Sequence, residues 1–254
     1  MGSTNNDIFN GPLTIVNSST HEFYLATGDT SYFNNNLIIN NTSAGGVVFG
    51  NTGGVSYLAS GKTISIGSSG FTDNYLTLKN FYQLGSTAQT LTLTGTAIVN
   101  CNNANFNGNL TVTAPGILLK NSTFNGTTTL TRNGSSGNFH SDGGNLYNNS
   151  FTIDNSGSSG RIRLASTTAD TYNGSATFSS SGGQDVQIAY SGNNIFAGNI
   201  TINSNKVVFN TASGKVTFSG GNSQTLNGSY NYPFKISYQQ KCKSCNCQYD
   251  IKCG

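Results

Sequence analysis

One seven-residue theme recurs along the chain at a spacing near 24 residues, and that spacing limits the fold more than any other feature. It reads aromatic, commonly Asn-Gly, two variable positions, Thr, then an apolar residue. Copies are FNGPLTI from Phe9, FNGNLTV from Phe106, FNGTTTL from Phe124, YNNSFTI from Tyr147, YNGSATF from Tyr172 and FAGNITI from Phe196. A looser copy, FNNNLII, starts at Phe33, and Tyr57 stands at the expected phase one step later. The steps are 24 residues from Phe9 to Phe33, 23 from Phe124 to Tyr147, 25 to Tyr172 and 24 to Phe196. Phe106 to Phe124 is short at 18, and residues 58–105 keep the composition while blurring the phase.

A second element precedes the aromatic by about ten residues, as FYLATGDTSYF (Phe23 to Phe33), IRLASTTADTY (Ile162 to Tyr172) and VQIAYSGNNIF (Val186 to Phe196). Each opens with apolar residues two apart, then a small residue, then a polar turn. Alternation at period two is the mark of a half-buried strand. The Thr-apolar unit, as in Leu110 to Thr113 and Ile200 to Asn203, is the next strand. Asn-Gly between the two strands is expected to supply the positive φ of a sharp corner.

A repeat made only of short strands and corners cannot build a core alone, so successive copies must stack. Strands then pair with their equivalents above and below at about 4.8 Å. Composition agrees. Only 35% of residues are apolar and 8% charged, yet Phe and Tyr number 15 and 12. The net charge of +3 lacks the charge excess that usually accompanies disorder. The fold class expected is all-β: a parallel β-helix, or β-solenoid, of about 24 residues per coil, with a right-handed coil as first choice. At that rise, roughly ten coils make a rod of about 50 Å. A β-propeller is the rival, but its blades need about 40 residues each.

The array is assigned to residues 1–234 and an atypical tail to 235–254. The F/Y-N-G-x-x-T-I/V unit and its LA-S/T-x-x-x-D-T-Y/F lead-in resemble repeats in very large secreted surface proteins of Bacteroidota, over most of residues 5–234. Such proteins carry an N-terminal export signal and a C-terminal type IX sorting domain. The resemblance implies an extracellular, adhesin-like or structural role. This chain shows neither signal nor sorting domain, so surface attachment is expected of a longer parent.

The tail KISYQQKCKSCNCQYDIKCG holds four of the five cysteines. Cys242, Cys245, Cys247 and Cys253 give C-x2-C-x-C-x5-C, which approaches zinc spacing, and a disulfide cluster is a second reading. A third is a shifted reading frame. Reading any Cys codon from its second base gives Val or Ala, and one permitted shifted translation from Lys235 is alternating apolar-polar sequence like the array. On that reading the tail is expected to be poorly ordered.

Chemistry is sparse. The acids Asp7, Glu22, Asp29, Asp73, Asp142, Asp154, Asp170, Asp185 and Asp250 are scattered, whereas lyases and glycosidases gather carboxylates on one face. Asp29 and Asp170 sit in the corner before an aromatic, where Asp bonds its own backbone. His140 and Asp142, two apart, read as an exposed pair. Arg161 and Arg163 flank Ile162 and point outward together, a solvated pair that could meet an acidic sugar. Tyr24 and Tyr190 are candidate sugar contacts. Cys101 reads as a small buried residue, and the sequons at Asn17, Asn41 and Asn121 as products of composition. Thr92-Leu-Thr94, Thr111-Val-Thr113 and Thr129-Leu-Thr131 form ranks of the kind that order ice. The partner column elsewhere includes Asp154, however, and Thr ladders have a β-propensity explanation. No phosphate-loop, dinucleotide or zinc-protease motif occurs.

The expectation is therefore a non-catalytic structural or adhesive repeat segment, with a carbohydrate-active β-helix enzyme and an ice-binding solenoid as alternatives. No residue is assigned to catalysis, cofactor or metal. Expected partners are surface glycans or further copies at the solenoid ends. Nucleic acid is not expected, since there is no basic stripe, nor is a membrane span, since no apolar run is long enough.

Overall fold

The computed structural model describes residues 5–209 and 212–228, and the backbone of 236–238. Apart from one short 3-10 turn at Asn51–Gly53, every regular element among them is a β-strand. Strands come three to a turn, and each pairs in parallel with its counterparts in the neighbouring turns. The all-β solenoid of about 24 residues per turn is borne out, and the uniformly parallel pairing removes the propeller.

The turns present three faces. The aromatic face is one continuous sheet of 11 strands, from Asp7–Phe9 to Ile236–Tyr238. The threonine face begins as three strands (Leu13–Asn17, Leu37–Asn41, Ile64–Phe71) and continues as seven, from Gln89–Thr92 to Leu226–Gly228. The third face has five strands from Phe23–Leu25 to Gly116–Lys120, then four from Phe139–His140 to Val207–Phe209. The last strand of the aromatic face lies inside the segment read as a tail, and it keeps register, Phe218 opposite Tyr238. Cys242, Cys245, Cys247 and Cys253, and with them the frame-shift, zinc and disulfide readings, lie outside the described residues.

The repeat aromatics form one inward column. Phe9 pairs with Phe33, and Phe106, Phe124, Tyr147, Tyr172 and Phe196 follow one another in register. All are buried except Phe9, half-buried in the first turn. Their rings stack along the axis. Centroids are 5.2 Å apart for Phe9–Phe33, 5.1 Å for Phe124–Tyr147 and 4.5 Å for Tyr172–Phe196, with planes within 7°. Each such pair adds about 0.5–1.5 kcal/mol beyond the burial of its surface.

The structure corrects two readings of this column. Tyr57 is not in it: Phe33 pairs with Leu58, while Tyr57 stacks between Tyr32 and Tyr82 on the outer side of the strands. Leu58 then faces Gln83, and the aromatic of that turn moves two residues earlier to buried Phe81, edge-on to Phe49. On a strand, i and i−2 share a face, so the core stays filled although the motif is lost.

The Asn-Gly corner also works differently. Positive φ occurs instead at the other end of the lead-in, on the small residues Ala26, Ala165 and Ala189 (φ 50–52°). After the aromatic, Asn supplies a ladder. Asn34 donates to Asn10, Asn125 to Asn107, Asn148 to Asn125 and Asn173 to Asn148, at 2.6–2.9 Å. Gly supplies room: a Cβ on Gly126 or Gly198 would lie 2.4 Å from the backbone of Gly108 or Gly174 one turn below. Glycine is needed there because backbone packs on backbone.

Candidate functional site

The corner between the threonine and third faces varies in length, and beside its longer copies lies a polar recess. In the 18-residue turn the corner is Pro115 alone, between strands Leu110–Ala114 and Gly116–Lys120. In the next turns it expands to residues 133–138 and 156–161. These longer corners need an internal anchor, which is Arg132. Its guanidinium is fully buried and donates to Asn155 Oδ1 (2.9 Å) and to the carbonyls of Ser136 (2.7 Å), Gly137 (3.2 Å) and Gly160 (3.4 Å). It also lies over the Phe139 ring, and burial lowers its pKa from the ordinary guanidinium value. Asn155 extends the clamp by donating to the carbonyls of Gly160 and Asp185. Sequence reading missed Arg132 because a charged residue is not expected inside, although the alternation through Thr128 and Leu130 places it on the inward face.

Outside this clamp lies a cleft of about 530 Å³ spanning four turns. Its floor is a register column, Asn138, Arg161, Asp185 and Lys206, set by the pairings Phe139–Ile162–Val186–Val207 one residue on. Gln184 and Ser159 complete the polar lining. Among the described residues the only side-chain ion pair is Lys120–Asp142, at 2.7 Å, so Asp185, one rung from each, forms no ion pair with Arg161 or Lys206.

The adjoining column on the third face is His140, Arg163 and Gln187. Arg163 Nε donates to Gln187 Oε1 at 2.7 Å, its Nη1 lies 3.0 Å from His140 Nε2, and its guanidinium sits 4.2 Å from the centre of the Tyr190 ring. Partial burial first, and then Arg163 and Arg161, lower the His140 pKa, so the imidazole stays neutral at pH 7. Arg163 is thus held rigid beside the cleft, while Arg161 stands half-exposed within it.

No family model, curated protein or solved structure matches the chain. The site is therefore argued from its own residues.

One expected pairing is absent. His140 meets Arg163, not Asp142, which pairs with Lys120. Of the candidate sugar-contact tyrosines, Tyr24 donates to the Glu22 carboxylate and Tyr190 lies under Arg163. Asp29 lies four residues before its aromatic and accepts from the Thr30 backbone N–H, a turn role as expected. Asp170 lies two before its aromatic and is fully buried. It belongs to an internal polar ladder. The Ser122 N–H donates to Asn145 Oδ1, the backbone and side-chain N–H groups of Asn145 both donate to Asp170 Oδ1 (2.9 Å each), and the Asp170 N–H donates to Asn194 Oδ1. Burial pushes the Asp170 carboxyl up to about 7, against the opposing effect of Asn145. Asp170 Oδ2 and the hydroxyls of Tyr147 and Tyr172 have no well-formed partner.

One of the threonine ranks shifts too, while the others keep the register expected. Thr111-Val112-Thr113 faces Thr90-Leu91-Thr92, two residues earlier than the rank expected, and then Thr129-Leu130-Thr131. Asp154 and Ser179 follow in the second column. Cys101 is buried as expected, and burial raises its thiol pKa to about 12. Among the described residues no three His, Cys, Asp or Glu side chains gather as metal ligands, and no helix is long and apolar enough to cross a membrane.

Proposed function

We propose that this chain is a non-catalytic, structural and adhesive repeat segment of a secreted cell-surface protein. The observation that carries the proposal is the continuous 11-stranded parallel sheet with stacked aromatics within and amide ladders without. Such an array holds a fixed polar surface over many turns at little cost in apolar sequence, which suits a spacer or display role outside the cell. The disposition of the acids supports a non-catalytic reading. Asp29, Asp73, Asp142, Asp154 and Asp170 each bond to a different partner, none of them a second carboxylate. The resemblance to Bacteroidota surface repeats favours the same role.

A glycan array probed with the labelled chain, run beside an assay for cleaved polysaccharide, tests the proposal. Retention on one or more glycans without new reducing ends or unsaturated products is expected. Turnover of any polysaccharide would replace the adhesive reading with the enzymatic one, and a flat array without turnover would leave only the scaffold role.

A further inference from the structure

We infer that the cleft across the corner of residues 138–206 binds a carboxylated polysaccharide laid along the solenoid axis. The inference rests on the adhesive reading and names its ligand class. Three features point to it. First, Arg161 and Lys206 stand two rungs apart in one column, without an ion-pair partner, at the edge of a recess large enough for a sugar chain. Cations spaced by rungs match a polymer carrying regularly spaced carboxylates, and a guanidinium grips a carboxylate with two parallel hydrogen bonds. Second, the groups around the cations are hydroxyl-recognising. The Asn138 side-chain amide N–H groups, the Gln184 Oε1 and the Ser159 hydroxyl offer donors and acceptors, and Asp185, between Arg161 and Lys206 in the column, offers an acceptor for a sugar hydroxyl. Third, Arg163 is fixed beside the cleft by Gln187 and His140, with its guanidinium stacked on Tyr190. A cation held in place before binding loses little side-chain entropy on contact.

The same chemistry disfavours nucleic acid. None of the residues lining the cleft is aromatic, so it offers no ring on which a base could stack.

Affinity electrophoresis of the full chain through gels containing polygalacturonate, alginate, a neutral glucan or single-stranded DNA tests this. Retardation by one or both carboxylated polymers is expected, absent with glucan. It should fade between about 0.1 M and about 1 M salt as the screening length falls from ~10 Å to ~3 Å. Arg161→Gln and Lys206→Gln should each weaken binding about tenfold, and the double variant about 100-fold. Unchanged far-ultraviolet dichroism separates these losses from unfolding, and Lys62→Gln serves as a charge-matched control. Retardation unaltered by the double variant overturns the inference, as does DNA binding as tight as that of the polysaccharides. Binding to glucan alone overturns it while leaving the adhesive reading in place, whereas no retention by any polymer counts against both.

Discussion

Replacing Asp170 by Asn should stabilise the solenoid, by an amount that grows with pH. Asp170 is completely buried in the aromatic face and keeps its proton up to about pH 7, whereas the same carboxyl in an unfolded chain releases it near 3.8. The folded state therefore binds more protons than the unfolded state across that interval, and stability falls as pH rises. The full contribution is present below about pH 4, drains away through pH 7, and changes little above it. Each pK unit is worth about 1.4 kcal/mol, so the loss amounts to about 4 kcal/mol by pH 8. Asn keeps the oxygen that accepts from both Asn145 donors and has no charge to desolvate. Asn194 already occupies the same column one turn on, so the amide continues an existing ladder. Urea unfolding at pH 4, 5.5, 7 and 8, followed by the near-ultraviolet dichroism of tyrosine because the chain has no tryptophan, measures the difference directly. Other carboxylates titrate in both proteins and cancel. A gap between variant and parent that stays below about 1 kcal/mol from pH 4 to pH 8 would refute the buried-carboxylate argument.

Three further outcomes follow from the packing. Gly174→Ala would place a Cβ 2.4 Å from the backbone of Asn149, forcing the turns apart and lowering stability by about 1–3 kcal/mol, whereas Gly11→Ala meets nothing within 4 Å and should change it by less than about 0.5 kcal/mol; paired melting curves distinguish them. Arg132→Ala should cost about 3–5 kcal/mol in urea titration, because it removes the donor to Asn155 Oδ1 and to the carbonyls of Ser136 and Gly137, the Gly160 carbonyl keeping Asn155. Cys101 should resist an aromatic disulfide reagent at pH 8 in native buffer and react fully in urea, since burial both blocks access and keeps the thiol protonated.

How far the sequence could be read depended on which face a residue occupies. Inward positions carry the period-two alternation and the recurrent aromatic, so the column through Phe106, Phe124, Tyr147, Tyr172 and Phe196 was legible to the residue. Where one turn exchanges the roles of two inward positions, as Phe81 and Gln83 do, the pattern dissolves though the core does not. Outward positions carry no such constraint, so one threonine rank, Thr92-Leu93-Thr94, was read two residues out of phase. The Asn-Gly signal was real, but a turn preference cannot reveal that the glycine is there because a backbone passes beneath it. The cleft was the least legible feature. Its residues come one or two to a turn from four turns whose corners differ in length, and only the strand register shows that Asn138, Arg161, Asp185 and Lys206 are neighbours.

The two sorts of corner divide the labour of change. Where Gly126, Gly174 and Gly198 lie on backbone, the corner keeps one length, 125–127, 173–175 and 197–199, although five residues span the same corner at 59–63 and 84–88. Opposite, Pro115 alone and a six-residue bend are both accommodated without disturbing the strands on either side. That edge of the rod can accept loops, new side chains or whole grafted peptides while the rest stays in step, which makes it the natural place to write recognition onto an otherwise monotonous column.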